Sequence, residues 1–446
     1  MRRRTAAIAL AVTTASLALA ASVLTASASA AASSAGETLL VSKPNEEVNG
    51  FPAEDVAPAI NGEGNFVAFV SSGFETGSAV WLRDMAGLFR PIDVPSGTGE
   101  QGLGFDAGTP SMSGDGQYVA FASEDPNISE EDRDSSTTPA GDTFPVRDIF
   151  VYERAEKKIS LISRGNGLRG TAGNEDSSNP SISPDGDYIA FQTEATNFQH
   201  GAFGGVFVRT QFGGTTTLAS RASGGHGKPL NGGFSPSISA HGRRVAFLTV
   251  AHLPHGHALE VAVRDMKAKR TTFVSRAGGA GGALAASDCA APAISANGRY
   301  VAFATKARNL GGGRNSVEDV FVRDLKTNRT TLVSRATGGH GAAGNGDSSE
   351  PSISFSGRYI AFRSYASNLG PPDNGAVPDV FVRDMRTGRV FLASRTSGNG
   401  AASNAPSGEP SISAEGRWVA FASRGSNLSP EDPLHATSIF RYQVLP

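Results

Sequence analysis

Short runs of β-branched and aromatic residues, separated by Gly, Pro, Asp and Ser, recur along the chain. The stretch 351–395 shows this most clearly, because apolar and polar side chains alternate there with a period of two. That period is typical of β-strands. The four strand candidates are Ser352–Ser354, Arg358–Ser364, Val380–Arg383 and Val390–Ser394. Hairpin-length turns join the first pair and the last pair, so the stretch predicts a four-stranded antiparallel meander, with strands a to d in chain order.

Seven copies of one motif, P-x-x-x-x-x-G-x-x-[VI]-A-F, indicate that this meander repeats along the chain. A single such sheet has two apolar faces and needs neighbours of its own kind to bury both. The repeats therefore predict an all-β fold, a seven-bladed β-propeller with one four-stranded antiparallel blade per repeat. We expect the repeated Phe to fill the space between blades and the repeated Ala to let adjacent sheets approach closely. The motifs begin at Pro58, Pro110, Pro180, Pro236, Pro292, Pro351 and Pro410.

The last repeat has candidates for strands a, b and c, at Ser411–Ser413, Trp418–Ser423 and Ile439–Tyr442, but none for strand d. Near the other end of the chain, Thr38–Lys43 looks like the d strand Thr331–Arg335 and stands before the first strand a. We therefore predict that the N-terminal strand pairs into the last blade and closes the ring, which leaves no long exposed edge. Residues 37–446 would form this single propeller domain.

The element P-S-I-S-x-[DN]-G-x-[YW]-[VI]-A-F, followed by V-F-V-R-D, resembles the TolB-type, WD40-like Pro-Asp propeller repeat. The resemblance covers nearly the whole chain after the leader and implies the fold, but it leaves the activity open. TolB resembles a six-bladed propeller preceded by a separate α/β domain. Here the repeats number seven, and only about fifteen residues separate the closing strand from the first blade. A TolB-like role at an outer membrane is therefore not implied.

Residues 1–30 have the pattern of a signal peptide. Three arginines precede an Ala-rich apolar stretch, and Ala-x-Ala cleavage sites end at Ala28 and Ala30. A membrane anchor is the alternative, but no later stretch is apolar enough to span a membrane. We expect residues 31–36 to be a disordered N-terminus and the mature protein to be secreted into an extracellular or periplasmic-type space. The export route, general secretory or twin-arginine, stays open.

Composition limits the partners. The formal charge is −2, and removal of the three leader arginines gives −2 − 3 = −5. No basic stripe is present, so we expect no nucleic-acid partner.

The single cysteine, Cys289, cannot form an intramolecular disulfide and stands near positions where other repeats have Ser. The sequence has no Gly-x-Ser-x-Gly motif and no helical α/β domain, which argues against the propeller-bearing prolyl peptidases. We expect a monomer.

Loop parity predicts where a site lies. The a–b and c–d turns share one face of a propeller and are short here, whereas the b–c and d–a connections share the other and vary in length. Variable loops on a rigid scaffold usually carry binding function, so we expect the site on the b–c and d–a face. Acids stand there four residues before the repeat proline. They could form a ring for a cation or a basic partner, or cap the turn into strand a, which we favour. These candidate binding residues are Glu54, Asp106, Asp176, Asp288 and Asp347.

Two loops on this face could hold a metal. The b–c insertion of blade two, 124–145, is acidic, and its oxygen ligands could bind Ca²⁺, although the spacing is not that of an EF-hand. The b–c connection of blade four contains His-x-x-His-x-His, a pattern that could chelate a transition metal. His241 is near in sequence but is predicted to lie on the opposite face. The candidate metal ligands are Asp132, Asp134, Asp142, His252, His255 and His257. We otherwise expect no cofactor.

Two functional hypotheses remain. The first is an exported, TolB-like propeller that acts as a non-catalytic binding scaffold for a protein, cell-wall or polysaccharide partner. It rests on seven near-equivalent blades without a convincing catalytic set. The alternative is an extracellular polysaccharide lyase or hydrolase with its site at the channel mouth, since some TolB-like rings resemble such lyases and the acids and histidines would supply bases or a metal. We favour the first hypothesis.

Overall fold

The computed structural model describes residues 36–42, 54–73, 77–87, 89–92, 108–125, 128–129, 135–137, 143–198, 204–253, 256–312, 316–370, 377–398, 400–432 and 436–444. Seven four-stranded antiparallel sheets form in this part of the chain. The first strands of successive sheets contact one another, and the first sheet also contacts the seventh. The chain is therefore a seven-bladed β-propeller, with the a strands innermost around a central channel.

Strand bounds follow chain order. The strands up to residue 218 are β1 (Thr38–Leu40), β2 (Glu54–Ile60), β3 (Phe66–Gly73), β4 (Gly77–Asp84), β5 (Phe89–Pro91), β6 (Ser111–Met112), β7 (Tyr118–Ser123), β8 (Ser135–Thr137), β9 (Thr143–Pro145), β10 (Asp148–Glu153), β11 (Lys158–Leu161), β12 (Ser177–Ile182), β13 (Tyr188–Thr193), β14 (Gly205–Thr210) and β15 (Thr216–Leu218). The later strands are β16 (Phe234–Ile238), β17 (Arg244–Leu253), β18 (Gly256–Asp265), β19 (Arg270–Phe273), β20 (Cys289–Ile294), β21 (Tyr300–Thr305), β22 (Asp319–Asp324), β23 (Arg329–Leu332), β24 (Ser348–Ile353), β25 (Tyr359–Ser364), β26 (Asp379–Asp384), β27 (Val390–Leu392), β28 (Ser407–Ile412), β29 (Trp418–Ser423) and β30 (Ser438–Gln443).

Each blade is a meander of consecutive strands, apart from two features. Blade two consists of β6, β7, β10 and β11, and β8 pairs with β9 in a separate hairpin within its b–c insertion. Blade seven has the order β28, β29, β30 and β1. In the described part of the chain the only helical segments are two 3₁₀ turns, Ala240–Gly242 and Arg308–Leu310. None of the helices in this part is long and apolar enough to cross a membrane.

The closing strand is confirmed. Strand β1 pairs antiparallel with β30, so Leu40 faces Phe440 in the ladder. The hydrogen bonding extends beyond the strand, because Gly36 N–H donates to Gln443 O at 2.9 Å and Val41 N–H donates to Ile439 O at 2.8 Å. The strand is shorter than the predicted Thr38–Lys43, and residue 43 lies outside the described residues.

The hydrophobic core consists of seven clusters, each between two adjacent blades. Ala302 of blade five and Phe362 of blade six share one cluster, and Ala246 of blade four and Phe303 of blade five share another. Since neighbouring residues on a strand point to opposite faces, each Ala-Phe pair contributes Ala to the following interface and Phe to the preceding one. Both predictions for this pair are confirmed, because the seven Phe side chains are at most 1% exposed and the seven Ala side chains are fully buried.

The inner strands differ from the prediction. Strand a of blade six starts at Ser348 instead of Ser352, and strand a of blade seven starts at Ser407 instead of Ser411. A β-bulge explains the extra length, because the register shifts between Ser349 and Ser352 and the ladder resumes beyond it. In six of the seven blades the residue before the repeat proline adopts a left-handed conformation. The sequence does not predict this, because a residue that precedes proline favours extended backbone. The six residues are Ala57, Asn179, Ser235, Ala291, Glu350 and Glu409.

Candidate functional site

One end of the central channel lies at the face of the a–b and c–d turns, which we call the turn face. A cavity of about 330 Å³ lies there, and residues of the a strands and a–b turns line it, with proline and isoleucine the most frequent types. Phe355 of blade six reaches across to blade two and packs against Gly114. If Gly114 had a Cβ atom, that atom would lie 3.1 Å from the Phe355 ring. Backbone hydrogen bonds also link the a–b turns of successive blades, such as Gly62 N–H to Gly114 O at 2.8 Å and Ala414 N–H to Gly62 O at 3.0 Å. The candidate acids that the structure describes lie at the other end of the channel, the mouth face, where strands b end and strands c begin.

The candidate acids on the mouth face bridge adjacent blades. Asp347 Oδ1 accepts a hydrogen bond from Glu318 N–H of the preceding blade at 2.7 Å. Asp176 and Asp288 accept equivalent bonds, from Arg147 N–H at 3.0 Å and from Leu259 N–H at 2.8 Å. The predicted cap would bond to the turn into the acid's own strand a. These carboxylates instead bond to a neighbouring blade. The arrangement fixes the spacing between blades at the mouth.

Glu54 and Asp106 complete the set of candidate acids. Glu54 uses a side-chain partner instead of a backbone one, because both of its carboxylate oxygens lie 3.1 Å from Arg424 Nη2 of blade seven. Thr437 Oγ1 also donates to Glu54 Oε2. Asp106 lies outside the described residues. Three of the five candidates thus accept backbone N–H groups across an interface, and Glu54 joins the first blade to the last.

A second set of acids lines the channel, and sequence reasoning missed it. Glu350 and Glu409 are left-handed bulge residues on the innermost strands of blades six and seven. Glu350 Oε2 accepts from Glu409 N–H at 2.7 Å, and Glu409 Oε2 accepts from Ala57 N–H at 2.6 Å. Each carboxylate therefore binds the bulge N–H of the next blade. Other blades have Asn, Ser, Thr or Ala at this position, and that departure from the repeat is the signal that could have identified them.

Arg363 and Tyr365 extend this set towards the mouth. Arg363 Nη1 donates to Glu350 Oε1 at 3.0 Å, and its Nη2 donates to Tyr365 Oη at 2.9 Å. The guanidinium also lies 5.2 Å from the centroid of the Tyr365 ring, which is 43% exposed. An exposed aromatic ring next to a cation and carboxylates is a suitable surface for a sugar or a polar peptide.

Two carboxyl groups in this sector hold their protons more tightly than usual. Burial raises the pKa of Glu409, and the negative charge of Glu350 adds to the shift. Burial also raises the pKa of Glu318, with Asp347 adding to it. Raised carboxyl pKa values are a property of general acids, but they also occur in structural networks of this kind.

Of the candidate histidines that the structure describes, His252 and His257 lie together, whereas His241 lies on the other face. Strands β17 and β18 pair along ten positions, so the b–c connection of blade four is an extended hairpin rather than a loop. His252 and His257 are cross-strand partners on this hairpin, both exposed, with ring centroids 4.4 Å apart. His255 lies outside the described residues. His241 is on the turn face, as predicted, where its Nδ1 lies 2.5 Å from Asp185 Oδ2.

The calcium candidates Asp132, Asp134 and Asp142 lie outside the described residues. Among the residues that the structure describes, no three His, Cys, Asp or Glu side chains are grouped to hold a metal ion. Cys289 is 2% exposed at a position equivalent to Ser177 and Ser348, as expected for a small-residue substitute. Burial raises the pKa of its thiol to about 12, with a contribution from Glu260, so the thiolate is scarce at neutral pH.

The Gly-rich d–a connections do not lie wholly on the mouth face, contrary to the parity argument. Gly224 N–H donates to Lys269 O at 2.7 Å, and Gly338 N–H donates to Gly388 O at 2.9 Å, so each loop reaches the c–d turn of the next blade. A buried arginine of that blade holds the loop, as where Arg383 Nη2 donates to Gly338 O at 2.9 Å. The outer strands tilt because blades twist, which brings the loop along the outer rim to the turn face.

Comparison with known proteins places the fold. No family model and no curated protein matches the sequence. Among solved structures, the chain is similar to a prolyl endopeptidase (TM-score 0.51, 12% identity), covering 83% of this chain and 46% of that one. This chain thus spans about half the length of that peptidase.

Two further structures match over more of their own length. An oligogalacturonate lyase in complex with manganese has a TM-score of 0.50 and 10% identity, covering 93% of this chain and 99% of that one. TolB from Acinetobacter baumannii has a TM-score of 0.40 and 14% identity, covering 89% and 80%. TolB proteins are thus among the propellers to which this chain is similar. At these identities the likeness concerns the fold.

Proposed function

We propose that this protein is an exported, non-catalytic scaffold that binds a protein or cell-envelope partner through the mouth face. The observation that carries the proposal is the hairpin of blade four. Its strands pair along ten positions, whereas the corresponding strands of blade five pair along six. The extra length extends beyond the mouth and ends in exposed histidines, so a rigid element is presented for contact.

The state of the mouth acids supports binding over catalysis. Asp176, Asp288 and Asp347 each accept a backbone N–H from the neighbouring blade through one carboxylate oxygen, as in a structural contact between blades. Such acids hold the ring together and leave the projecting elements to meet a partner. The predicted signal peptide supports export. An exported protein would meet the components of the cell envelope, so we expect its partner among them.

The experiment shortens the hairpin. Replacement of residues 251–258 by Asn-Gly retains the Val250–Leu259 pair and the bond from Leu259 N–H to Asp288. We expect the immobilised parent protein to retain isolated cell-wall polysaccharide or a discrete envelope protein, and the shortened variant to retain at least about fivefold less. Lys267→Ala/Lys269→Ala, on the turn face of the same blade, is the control and should bind like the parent. Equal binding by all three proteins would contradict the proposal.

A polysaccharide lyase or hydrolase is the second candidate. Glu350, Glu409 and the exposed Tyr365 ring favour it, because a carboxyl group with a raised pKa beside a second carboxylate can act as general acid. Incubation with a polysaccharide panel, with and without Ca²⁺, tests this candidate by the formation of new reducing ends or unsaturated sugars. Turnover that is lost in Glu409→Gln but retained in the hairpin variant would establish the enzyme and reject the non-catalytic scaffold.

A further inference from the structure

A cavity of about 510 Å³ lies on the turn face between blades five and six, away from the channel. Its walls are strands β22 and β23 and the Gly-rich loop of blade five, together with the a–b and c–d turns of blade six. Four hydroxyl groups and the ring of Tyr300 also line it. Its arginines are Arg329, Arg335, Arg358, Arg383 and Arg386.

Most of this positive charge is not neutralised. Among the described residues that line the cleft, Asp324 is the one acid, and it forms a two-point ion pair with Arg299 at 2.7 and 2.9 Å. Arg358 is in turn paired with Asp384, at 2.8 and 3.1 Å. The other four arginines have no carboxylate partner among the described residues. On a chain with a formal charge of −2, this is a localised basic site.

The four arginines divide into two on the floor and two at the rim. Arg383 is 3% exposed, and Arg335 donates to Gly341 O at 2.7 Å, so both guanidiniums are fixed by neutral carbonyls. Burial lowers the pKa of Arg383 to about 10, and the nearby positive charge of Arg335 lowers it further, as expected for charges without a counterion. Arg329 and Arg386 are exposed and have no side-chain hydrogen bond or ion pair within the described residues.

The equivalent cleft between blades four and five supplies a contrast. It measures about 340 Å³, and its lining holds four arginines, of which Arg244 is paired with Asp265 at 3.4 Å. The cation at the tip of its c–d turn, Lys326, does not line it, whereas the equivalent Arg386 lines the larger cleft. The repeat architecture therefore produces a cleft between these blades as well, and the cleft between blades five and six is both the larger and the more basic of the two.

We propose that the cleft between blades five and six binds a ligand with two or more oxyanion groups, held by Arg329 and Arg386 at its rim above Arg383 on its floor. Guanidinium groups match carboxylate and phosphate with paired hydrogen bonds, and a cavity of this volume accommodates about two sugar rings. Carboxylate and phosphate share this chemistry, so the ligand is defined by its charge. The site is on the opposite face from the proposed scaffold surface, so either proposal can fail alone.

Isothermal titration of the full mature chain tests the site with an oligogalacturonate (carboxylates), a glycerol-phosphate oligomer (phosphates) and maltotriose (neutral). We expect one or both acidic probes to bind saturably, with affinity that falls as salt is raised, and maltotriose not to bind. Arg329→Ala/Arg386→Ala should weaken the binding at least about tenfold without changing the melting temperature, because neither side chain has a structural partner. The preferred acidic probe identifies the oxyanion.

The control removes the same charge elsewhere. Arg169→Ala/Arg243→Ala changes two exposed arginines outside the cleft and should bind the acidic probe like the parent. An equal loss in both double variants would overturn the proposal, because binding would then follow net charge alone. Absence of saturable binding of either acidic probe up to about 1 mM would also overturn it.

Discussion

Tyr300 of blade five packs its ring directly over Gly357 of blade six. A Cβ on Gly357 would lie 2.3 Å from Tyr300 Cδ2, and the glycine itself has a φ of 78°. The same contact recurs around the ring, as where Tyr118 covers Gly186. The interface between blades four and five differs, because Arg244 replaces the aromatic ring and approaches the equivalent Gly298 only to 3.3 Å.

This difference predicts two outcomes for one substitution. Gly298→Ala should lower the free energy of unfolding by about 1–2 kcal/mol, the cost of a left-handed alanine. Gly357→Ala should cost roughly 1–3 kcal/mol more, because the Tyr300 ring must move as well. Chemical denaturation of both variants measures the difference. Equal losses would mean that the aromatic contact is not tight.

The Phe side chains between blades should carry much of the stability. Phe362 is fully buried in the interface between blades five and six, so Phe362→Ala should cost about 3–5 kcal/mol. Phe212→Ala is the matched control, because that ring is 59% exposed and its loss should cost less than about 1 kcal/mol. Denaturant titration of the two variants would contradict the core assignment if Phe362→Ala were as mild as the control.

Removal of the closing strand should open blade seven. A chain that lacks residues 36–42 loses the ladder to β30 and the buried Val41 side chain, so we expect a loss on the order of 3–5 kcal/mol and a lower melting temperature. A synthetic peptide of residues 36–42 added in excess should restore part of the loss, because it can occupy the vacated edge. A peptide of scrambled sequence is the control. An unchanged melting temperature after the deletion would reject the role of this strand.

Asp55 should make stability depend on pH. Its carboxyl group is 1% exposed, and burial raises its pKa to about 7. Ser71 and Ser42 oppose the shift, whereas Asp432 and Glu54 add to it. Since the folded pKa exceeds the unfolded value of 3.8, the folded state binds more protons, and stability should fall as pH rises from about 4 to 7. The full effect is at most roughly 4 kcal/mol.

Asp55→Asn should remove this slope and be the more stable protein at pH 8. Asp384→Asn provides the opposite case. Burial acts against ionisation of Asp384, but hydrogen bonds from Arg358 and from Arg386 N–H hold its pKa at about 2. Its contribution is therefore present above about pH 4 and lost below it. Melting temperatures from pH 2 to pH 8 should separate the variants, and parallel profiles for Asp55→Asn and the parent would show that Asp55 is ionised when folded.

The fold was predictable because its determinants are local and repeated. Each Ala-Phe pair, turn glycine and strand occurs seven times at regular offsets, so blade number, strand order and core positions followed from the pattern. The position of β1 followed from its likeness to other d strands. The left-handed residue before the repeat proline, present in six of the seven blades, did not follow, because local preference opposes this conformation and the packing of the inner strands imposes it.

The sites were less predictable because they form between blades. Asp347 was recognised as a repeated acid, but its partner, Glu318 N–H, belongs to the preceding blade. Glu350 and Arg363 occupy positions where the repeat has other residues, and a search for the common pattern passes over such departures. Arg329 and Arg386 lie 57 positions apart (386 − 329 = 57), and only the contact of adjacent blades brings them to one cleft.

The pairing of β1 with β30 also has a consequence for the order in which the blades fold. Thr38 lies opposite Tyr442 in this ladder, 404 positions further along the chain (442 − 38 = 404), so the closing strand depends on a partner that is very distant in sequence. Contacts of such separation form slowly, since the entropy of closing the loop opposes them. Until then, six complete blades would form an open arc whose terminal sheets expose the surfaces around Phe69 and Ala420. The intermediate that lacks this pairing is therefore the state most prone to aggregation, and a chaperone that covers those two surfaces would act on it.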